Sequence, residues 1–559
     1  MKTIIIGGVA GGATCAARLR RLDEKMSITI IEKTGFISYA NCGLPYFLGE
    51  VIKDKKELTL QTKESFKARY NVDVLLRHEA LNIDRLNKKV LVKNLDTNIE
   101  FSLDYDYLVL ATGAEAIIPN IKGSELALTL KTVEDTFKID NYIKEHNVKN
   151  AVVVGGGFIG LEVAENLKVR GLDVTLVEKQ NQVLAPLDKE MANFVHNNLR
   201  RHNIKLLLVK EVVSLTRDFG VTKVNFVDDK IEADLVIFAL GVRPNSSLGM
   251  KSGLTLGLKN SIKVDSYLRT SDKAIFACGD VIEVKNSVSD MPSLISLAGP
   301  ANKQARIVAS NICGHKVKYE GALGTSIIKL FDKTIAFTGL NEKTLKYLNY
   351  NYNKIYLSPN NHASYYPGSE TMTLKIMFKK DDYKILGAQI VGSTGVDKRI
   401  DILALAISKH ISLLDLKDID FAYAPPYGSA KDPINMASFI ADNLATNTLQ
   451  QVFLEDVLDS LYNPNIFFLD VRTKKEYSRG HIKNFINIPL DTLRENLTKI
   501  PNDKKIYCLC QSALRSYIAC SLLKGYGYDT YNIAGGYLLY EESFLDKESK
   551  NTYDCGLEK

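Results

Sequence analysis

Two cysteines stand in segments whose neighbouring residues favour thiol chemistry. Cys42 lies in SYANCGLPY, whose glycine, proline and polar residues are typical of an exposed loop, with a buried packing cysteine as the alternative interpretation. No second cysteine follows within two hundred residues, so redox chemistry at Cys42 requires a sulfur or oxygen atom from a small molecule. Cys510 opens CQSALR, a strand end and short loop before a helix, where backbone N–H groups can bind an anion.

The opening of the chain predicts a dinucleotide-binding fold just before Cys42. A β-branched strand leads into a glycine-rich turn and a helix, and the second strand ends on an acid about 20 residues later. Glycines let the backbone approach a pyrophosphate at the helix N-terminus, while the acid takes the ribose hydroxyls. The middle glycine of the pattern is replaced by Val9, so this match is incomplete. The residues concerned are Gly7, Gly8, Val9, Ala10, Gly11, Gly12, Glu32 and Lys33.

The same pattern recurs, with full spacing, in NAVVVGGGFIGLEVAENLKVRGLDVTLVEK. Gly155, Gly157 and Gly160 follow a strand, and Glu178 ends the next strand, which favours dinucleotide binding over a purely structural turn. A carboxylate at that position repels a 2′-phosphate, so NADH is expected, while neighbouring Lys179 keeps NADPH open. Two sites of one kind suggest two dinucleotides that exchange electrons.

The bulk composition limits the classes of protein that fit. A chain of 559 residues is long enough for roughly three or four domains. A net charge of +7 without a basic block, with 45% hydrophobic and 25% charged residues, is typical of a globular protein and argues against nucleic-acid binding. No apolar run approaches the roughly 18 residues of a membrane span. Eight cysteines without a CxxC pair argue against a metal site and favour a reducing cytoplasm.

Three further segments, YDYLVLATGAEAIIP, DLVIFALGVRPN and AIFACGDVIEV, resemble motifs of the FAD- and NAD(P)H-dependent pyridine nucleotide-disulfide oxidoreductases. The resemblance implies an FAD-binding domain over residues 1–111 and 244–322, an inserted NAD(P)H-binding domain over 112–243, and a dimerisation domain over 323–446. Asp280 is then expected to hydrogen-bond the FAD ribityl chain. The cofactor contacts implied beyond the glycine turns are Asn41, Cys42, Ala111, Thr112, Gly113, Gly241, Asp280 and Ala298.

The segments GGVAGGATCAARLRRLD, SYANCGLPY, HASYYPG, GVDKRID and FAYAPPYGSAKDPINM together resemble the coenzyme A-disulfide reductases and their persulfide-reducing relatives, over residues 1–440. The resemblance implies a mixed disulfide between Cys42 and coenzyme A. It also implies a homodimer in which Tyr365 and Tyr423 of one subunit reach Cys42 of the other. A phenol there can protonate a departing thiolate, with rim packing as the alternative interpretation.

The same resemblance implies contacts with coenzyme A. Its phosphates need cations, and Thr14, Arg18 and Arg21 are spaced to share one face of the first helix. The family places a lysine near position 70, where this chain has Arg69 and Tyr70 instead. The full set of implied contacts is Thr14, Arg18, Arg21, Ser38, Asn41, Asn302 and Lys431.

Residues 452–545 resemble a rhodanese domain, through NIFFLDVRTKKEYSRGHIKNFINIPLDTL and KKIYCLCQSALRSYIACSLLKGYGYDTYNIAGGY. The resemblance implies catalytic roles for Cys510 and Arg515, which bound a six-residue loop. Related phosphatase-like domains need one more residue to surround a phosphate, so sulfur transfer is favoured over phosphate hydrolysis. A non-catalytic docking or sensor module is the alternative.

These expectations combine into one prediction. The fold class is α/β, with two interleaved Rossmann-like domains, an α+β dimerisation domain and an α/β rhodanese domain. The expected activity is FAD-dependent, NAD(P)H-driven reduction of sulfur–sulfur bonds in coenzyme A persulfide, polysulfide or coenzyme A disulfide, while the rhodanese domain handles sulfane sulfur. Expected partners are a second copy of the chain, small-molecule thiols, persulfides and coenzyme A, without nucleic acid or membrane. The alternative is an NADH oxidase in which Cys42 cycles through a sulfenic acid.

Overall fold

The computed structural model describes residues 1–544 of the chain. The described residues form two compact units: the first unit comprises Met1–Val183 and His202–Gly324, and the second comprises Leu184–Arg201 and residues 325–544. Position 545, the last of the predicted rhodanese domain, lies outside the described residues. Among the described helices, none combines the length and the apolar character that crossing a bilayer requires.

Regular structure in residues 1–324 consists of strands joined by helices and short 3₁₀ turns. The strands are β1 (Lys2–Ile6), β2 (Ser27–Glu32), β3 (Ile37–Tyr39), β4 (Thr59–Gln61), β5 (Asp73–Leu76), β6 (His78–Asp84), β7 (Lys89–Asn94), β8 (Glu100–Asp104), β9 (Tyr107–Leu110), β10 (Ala114–Ala116), β11 (Leu128–Thr129), β12 (Asn150–Val154), β13 (Asp173–Val177), β14 (Lys205–Leu207), β15 (Ser214–Asp218), β16 (Val221–Asn225), β17 (Lys230–Ala233), β18 (Leu235–Phe238), β19 (Val242–Pro244), β20 (Ile275–Ala277), β21 (Val284–Lys285) and β22 (Pro292–Ser293). The helices are α1 (Ala10–Leu22), α2 (Leu44–Leu48), α3 (Lys55–Leu58), α4 (Lys63–Tyr70), α5 (Val133–Glu145), α6 (Phe158–Val169), α7 (Lys189–Arg201), α8 (Ser247–Lys251) and α9 (Ala298–Ile312). The 3₁₀ turns are Asn41–Gly43, Ser124–Leu126 and Leu258–Asn260.

The first sheet of the first unit is parallel, with strand order β20-β9-β1-β2-β5. Its inner strands are runs of isoleucine, valine and leucine buried on both faces, as expected where helices cover a parallel sheet. The strand order reverses at β1, because β2 lies on one side of it and β9 on the other. The carboxyl ends of β1 and β9 therefore form the crevice in which such sheets bind ligands.

A second parallel sheet in the first unit has the order β11-β18-β12-β13-β14. Its strand order likewise reverses at β12, because β13 lies on one side of β12 and β18 on the other. Strand β12 reads NAVVV and is buried from its second residue onward. A two-stranded antiparallel ribbon, β10 with β19, lies where the chain leaves the first sheet for the second and where it returns. The unit also contains two three-stranded antiparallel sheets, β6-β7-β8 and β15-β16-β17, and two short antiparallel pairs, β3-β4 and β21-β22.

The second unit continues with antiparallel and then parallel strands. The strands are β23 (Ser326–Leu330), β24 (Lys333–Gly339), β25 (Tyr352–Leu357), β26 (Thr373–Lys379), β27 (Ile385–Gly392), β28 (Gln451–Val452), β29 (Ile466–Asp470), β30 (Ile486–Asn487), β31 (Lys505–Leu509) and β32 (Asp529–Ile533). The helices are α10 (Glu342–Tyr347), α11 (Val396–Ser408), α12 (Pro433–Ala445), α13 (Leu454–Asp459), α14 (Lys474–Ser478), α15 (Leu514–Gly525) and α16 (Gly536–Phe544). The 3₁₀ turns are Leu413–Asp418 and Leu490–Lys499.

The antiparallel sheet of the second unit has the order β23-β24-β27-β26-β25. Its inner strand β27 is buried along its whole length, whereas the edge strand β23 alternates buried and exposed residues. The later, parallel sheet has the order β28-β32-β31-β29-β30. The two parallel Rossmann-like sheets, the antiparallel sheet and this last parallel sheet confirm the predicted fold class.

The two sheets of the second unit share an apolar cluster, called the shared cluster below. It combines Tyr356 of β25 with Val452, Phe468 and other side chains of the C-terminal sheet, and Phe194 of α7 packs against it. Helix α7 is also tied to the end of α16, because Asn193 Nδ2 donates to the Ser543 carbonyl at 2.6 Å. The segment that leaves the nucleotide-binding fold after β13 therefore belongs to the packing of the second unit.

A buried lysine connects the same segment to the antiparallel sheet. Lys375 of β26 is fully buried, and its ammonium contacts Asp188 at 2.7 Å, Glu342 at 2.5 Å and also Glu190. The three carboxylates are grouped closely enough to hold a cation, and the cation among them is this ammonium. Burial alone would raise the pKa of Glu342, but Lys375 and then Lys354 outweigh it and lower that pKa to about 2.

Candidate active site

The first glycine-rich turn is fixed by close backbone contacts after β1. Gly7 has φ of +100°, and a Cβ there would lie 2.2 Å from the Ala111 carbonyl oxygen. A Cβ on Gly12 would lie 1.8 Å from the Gly7 carbonyl oxygen, so the start of α1 can approach the strand only without a side chain. The N-terminus of α1 is thereby held at the carboxyl end of β1, as the sequence pattern predicts.

Val9 occupies the middle position of the first glycine pattern, where the second pattern has Gly157. A Cβ on Gly157, the corresponding residue of the second turn, would meet nothing within 4 Å. The space beside this position is open, so the fold itself does not require glycine there. Val9 precedes α1 as its N-cap residue and keeps the same turn. Gly155 and Gly160 repeat the close contacts of Gly7 and Gly12.

The two strand-ending acids make the same contacts in both folds. Glu32 Oε2 accepts a hydrogen bond from Gly8 N at 2.7 Å, and Glu178 Oε2 accepts one from Gly156 N at 2.7 Å. Each carboxylate therefore ties its strand end to the glycine turn before it. Lys179 forms an exposed ion pair with Glu211 at 2.7 Å. Lys33 likewise pairs with Glu79 at 2.8 Å.

Several other predicted cofactor residues lie near strand ends or at a helix start in the first unit. Gly113 and Gly241 have φ of +64° and +90°, and a Cβ on either would meet nothing within 4 Å. Thr112 Oγ1 donates to the Asn245 carbonyl at 2.7 Å, which fixes the crossover beside the ribbon β10–β19. Ala111 precedes Thr112 directly after β9, and Ala298 begins α9.

Asp280 follows β20, behind the Gly279 turn, which is held by a bond from Gly279 N to Gln304 Oε1 at 2.8 Å. Its carboxylate lies 3.8 Å from Lys131 Nζ, and both side chains are about one-fifth exposed. Burial raises the pKa of Asp280, and the Lys131 ammonium opposes that effect. Sequence reasoning missed Lys131, which stands in a loop between β11 and α5 without a motif.

Cys42 lies in the 3₁₀ turn Asn41–Gly43, between β3 and α2, and is exposed. Partial desolvation raises the pKa of its thiol, the Glu162 carboxylate raises it further, and the Lys131 ammonium acts in the opposite direction. Two charges that sequence reasoning did not identify thus act on this thiol. Glu162 follows Gly160 by two residues, and that short spacing is the signal that could have found it.

Glu162 titrates within the physiological range. Burial and the nearby Glu165 carboxylate raise its pKa to about 7. Tyr46, four residues after Cys42, approaches Glu162 Oε1 with its hydroxyl at 3.5 Å. Packing of α2 against α6 brings these groups together. The carboxyl group can therefore gain or lose a proton near the thiol.

The residues expected to contact coenzyme A are partly brought together. Thr14 Oγ1 donates to Asn302 Oδ1 at 2.5 Å across the packed helices α1 and α9. Arg18 Nε is buried, and no described residue accepts a hydrogen bond from it. Arg21 is exposed one turn further along α1. A buried guanidinium nitrogen without an acceptor is the kind of donor that an anionic ligand would complete.

Two positions near this face show local constraints. Ser38, the first residue of SYANCGLPY, has φ of +49°, and its N donates to the Gly8 carbonyl at 2.9 Å. The left-handed conformation is strained for a residue with a side chain, and such strain is concentrated at functional sites. Tyr70, near the position where the family is expected to have a lysine, packs against Phe66. Its carbonyl oxygen accepts a hydrogen bond from Nε of the buried Arg20. It is therefore a structural residue.

The predicted tyrosine pair is formed within the second unit. The hydroxyls of Tyr365 and Tyr423 lie 2.8 Å apart, although 58 residues separate them in sequence, and both side chains are exposed. The hydrogen bond to Tyr365 raises the pKa of Tyr423. Nearby, Arg399 is buried against Asp432 at 2.8 Å, and Asp432 caps α12. This ion pair fixes the end of the loop that carries Tyr423.

The tyrosine pair and the other predicted residues divide between the two units. Asn41 and Cys42 belong to the first unit, whereas Tyr365 and Tyr423 belong to the second. Lys431, also in the second unit, is exposed at the edge of a cleft that includes Phe421 and Phe439.

The predicted sulfur-transfer loop follows β31. Cys510 is fully buried, and its Sγ lies 3.3 Å from Ser516 Oγ. The carbonyls of Cys510 and Gln511 accept bonds from Tyr537 N and Leu538 N, at 2.8 and 2.9 Å. Because a trans peptide points its C=O and N–H in opposite directions, the loop N–H groups face away from α16. The arrangement suits an anion-binding turn.

Arg515, in the first turn of α15, is half-buried and makes two bonds to Glu476. Its Nη1 lies 2.8 Å from Glu476 Oε2, and its Nη2 lies 2.6 Å from Oε1. Sequence reasoning identified Arg515 but not its partner, which lies 39 residues earlier in the chain, at α14. Behind the loop, Arg472 and Asp470 form a second, fully buried ion pair at 2.8 Å.

Comparison with known proteins places these observations in context. Residues 1–305 match the family described as pyridine nucleotide-disulphide oxidoreductase, residues 325–432 match its dimerisation domain, and residues 454–543 match the rhodanese-like domain. A coenzyme A disulfide reductase of Staphylococcus haemolyticus is 38% identical over 446 residues, which is 79% of this chain and 100% of that protein.

Two solved structures resemble nearly the whole chain. The reduced Bacillus anthracis CoADR-RHD is 44% identical, with a TM-score of 0.94 over 97% of this chain and 98% of that one. A NAD-dependent persulfide reductase from A. fulgidus is 35% identical, with a TM-score of 0.91 over 97% of this chain and 100% of that one.

Proposed function

The chain belongs to the pyridine nucleotide-disulphide oxidoreductase family and carries a rhodanese-like domain, and from this premise we propose that it reduces coenzyme A disulfide and coenzyme A persulfide with NAD(P)H. Cys42 is the proposed redox thiol, and Cys510 is the proposed sulfur carrier. We further propose that NADH is the preferred reductant, because Glu178 places a carboxylate where NADPH would bring its 2′-phosphate.

One observation carries the proposal: Cys42 is the exposed thiol among the seven described cysteines, and the others are buried or half-buried. The eighth, Cys555, lies outside the described residues. A disulfide reductase with an internal pair would hold a second sulfur beside the first. Here the second sulfur is proposed to come from the substrate, as the thiol of coenzyme A.

The residues present fit two dinucleotide cofactors. FAD would be held by the turn around Gly7 and Gly12 together with Asp280, and NAD(P)H by the turn around Gly157 and by Glu178. The open space beside Gly157 and the helix N-termini behind both turns are what a pyrophosphate requires. When bound and reduced by NAD(P)H, FAD supplies the electron pair that the disulfide reaction consumes.

The reaction proposed at Cys42 is a thiol–disulfide exchange, followed by reduction of the mixed disulfide that forms. The Cys42 thiolate attacks one sulfur of coenzyme A disulfide, forms a Cys42–S–S–CoA bond and releases a coenzyme A thiolate. With coenzyme A persulfide the same attack releases hydrosulfide. An electron pair and one proton then cleave the mixed disulfide into the Cys42 thiolate and the coenzyme A thiol.

The tyrosine pair is proposed to donate the proton that this reduction consumes. The partner subunit's Tyr365 and the partner subunit's Tyr423 would face Cys42 in a homodimer, and one phenol would protonate the departing thiolate. Their hydrogen bond at 2.8 Å supports this role, because the second hydroxyl stabilises the phenolate that forms on the first. Glu162 and Tyr46 offer a second proton reservoir on the Cys42 side.

An anaerobic acceptor panel tests the proposal. The purified protein is mixed with coenzyme A disulfide, coenzyme A persulfide or polysulfide, with NADH and NADPH in turn, and intact mass is recorded. We expect coenzyme A compounds to be the best acceptors and a coenzyme A adduct on the wild type that Cys42→Ser lacks. A parallel arm in air-saturated buffer without a sulfur acceptor tests oxygen, and faster NADH oxidation there than with any coenzyme A compound, with no adduct, would instead support the NADH oxidase.

A further inference from the structure

Glu476 is held in place next to the sulfur-transfer loop by contacts on both of its carboxylate oxygens. Besides its two bonds to Arg515, Oε2 accepts bonds from Thr473 N at 2.9 Å and from Thr473 Oγ1 at 2.7 Å. The bond from Arg515 lowers the pKa of Glu476 to about 2. The carboxylate is therefore charged near neutral pH, where it compensates the Arg515 cation beside the loop.

The second arginine near the loop is compensated in the same way. Arg472 pairs with Asp470, and both side chains are buried. Asp470 lies beside Leu509, the residue before Cys510, in the parallel register of β29 and β31. The two guanidinium groups around Cys510 are thus balanced by two carboxylates, so anion attraction in the loop depends mainly on backbone N–H groups.

Burial restricts access to the Cys510 thiol, which lies in an apolar cluster. Cys510 is fully buried, so a donor must reach Sγ with a slender terminal atom. Leu514 and Ile518 are about half-exposed and stand four residues apart in α15, on the face they share at its start. They offer apolar surface beside Arg515, which suits the carbon chain of an organic thiol.

We propose that Glu476 sets the donor selectivity of Cys510, by reducing the positive charge of the loop so that organic persulfides are accepted in preference to dianions such as thiosulfate. This inference rests on the proposed sulfur transfer at Cys510. A persulfide monoanion gives its outer sulfur to the Cys510 thiolate, which forms a cysteine persulfide, and the organic thiolate leaves. Thiosulfate would give the same product with sulfite as the leaving group. Glu476 touches neither donor in this account, so it is a positioning and selectivity residue.

The test uses the full-length protein without NAD(P)H, so that only sulfur transfer is measured. Thiosulfate, a dianion, and 2-hydroxyethyl persulfide, a monoanion, serve as donors, and cyanide removes the sulfur from Cys510 as thiocyanate. The rate with Cys510→Ser is subtracted as the uncatalysed background. We expect Glu476→Gln to raise kcat/KM for thiosulfate about tenfold, the size expected from one added unit of charge at a partly exposed site. The 2-hydroxyethyl persulfide should gain only about threefold, because a monoanion feels half of the electrostatic free energy that acts on a dianion.

A charge effect also has a signature that a packing defect lacks. Raising the ionic strength should reduce kcat/KM for thiosulfate more steeply in Glu476→Gln than in the wild type. Glu476→Asp keeps the charge and should retain the wild-type ratio of the two donors. An unchanged ratio in Glu476→Gln, or an equal fall with both donors, would overturn the selectivity role. If the wild type transfers no sulfur from either donor above background, the proposed transfer at Cys510 fails as well.

Discussion

Replacing Lys375 by methionine should destabilise the second unit by about 3–5 kcal/mol near neutral pH. The substitution keeps an unbranched side chain of similar length and removes only the charge that three carboxylates surround. Volume is nearly conserved, so the loss of packing is small and the effect reports the buried charge.

The magnitude follows from the geometry of the cluster. The oxygens of Asp188, Glu190 and Glu342 lie within 4.8 Å of one another. At about this separation and an effective dielectric constant of about 20, two like unit charges repel by about 3.5 kcal/mol. Lys354 still contacts Glu342 at 3.0 Å, which offsets one of these repulsions. The variant therefore binds at least one extra proton in the folded state and does not keep three charges.

The contribution of these carboxylates to the free energy of unfolding should depend on pH in opposite directions in the wild type and in Lys375→Met. In the wild type the folded pKa of Glu342 is about 2, below its unfolded value of about 4.3, so its stabilisation is complete above the unfolded value and is lost as pH falls toward 2. In Lys375→Met, burial and repulsion raise the folded carboxyl pKa above the unfolded value. The stabilisation by this protonated carboxyl group is complete below the unfolded pKa and is lost as pH rises through the folded pKa. The loss of unfolding free energy relative to the wild type should therefore become smaller on mild acidification.

Hydrogen exchange of α7 and β26 measures this locally, because a chain of several domains does not unfold in one step. Lys384→Met, which removes an exposed pair with Asp382, is the matched control and should cost less than about 1 kcal/mol. Adding Glu342→Gln to Lys375→Met should recover part of the loss. A deficit below about 1 kcal/mol, or one that is equal at neutral and mildly acidic pH, would refute the reasoning.

Three further predictions concern the catalytic regions. Lys131→Met and Glu162→Gln should move the pH midpoint of Cys42 alkylation in opposite directions, upward and downward respectively; shifts in one direction would contradict the assigned charges. Tyr423→Phe should lower kcat for coenzyme A disulfide about 10²-fold while NADH still reduces the flavin at the wild-type rate, as followed by stopped-flow absorbance. Glu178→Gln should shift the ratio of NADH to NADPH dissociation constants about tenfold toward NADPH, and an unchanged ratio in titration calorimetry would count against the proposed preference.

Much of the fold could be predicted because its signals are local. Each glycine turn stands between a β-branched strand and a helix, and the contacts of Gly7 and Gly12 are the ones that this pattern requires. The tyrosine pair could be predicted only through the family resemblance, because no local pattern relates Tyr365 to Tyr423. The structure brings their hydroxyls to 2.8 Å, whereas their roles in catalysis remain predictions.

What sequence reasoning missed depends on contacts between distant segments. Lys131 stands in an ordinary loop, and its position beside Asp280 follows from the packing of several strands. The sequence around Glu476 is typical of a helix N-terminus, and the structure confirms a capping box between Glu476 and Thr473. Its second role, as the partner of Arg515, becomes visible only when α14 and α15 are placed together.

The shared cluster has a consequence for attempts to separate the rhodanese-like domain from the rest of the chain. A gene shortened just before β28 would leave Tyr356 and Phe194 facing water and would deprive Lys354 of Glu455. The excised C-terminal fragment would in turn expose Val452 and Phe468. Each fragment would expose apolar side chains that the other covers, so the reductase and rhodanese-like parts are expected to be produced together, one copy of each, whatever the level of expression.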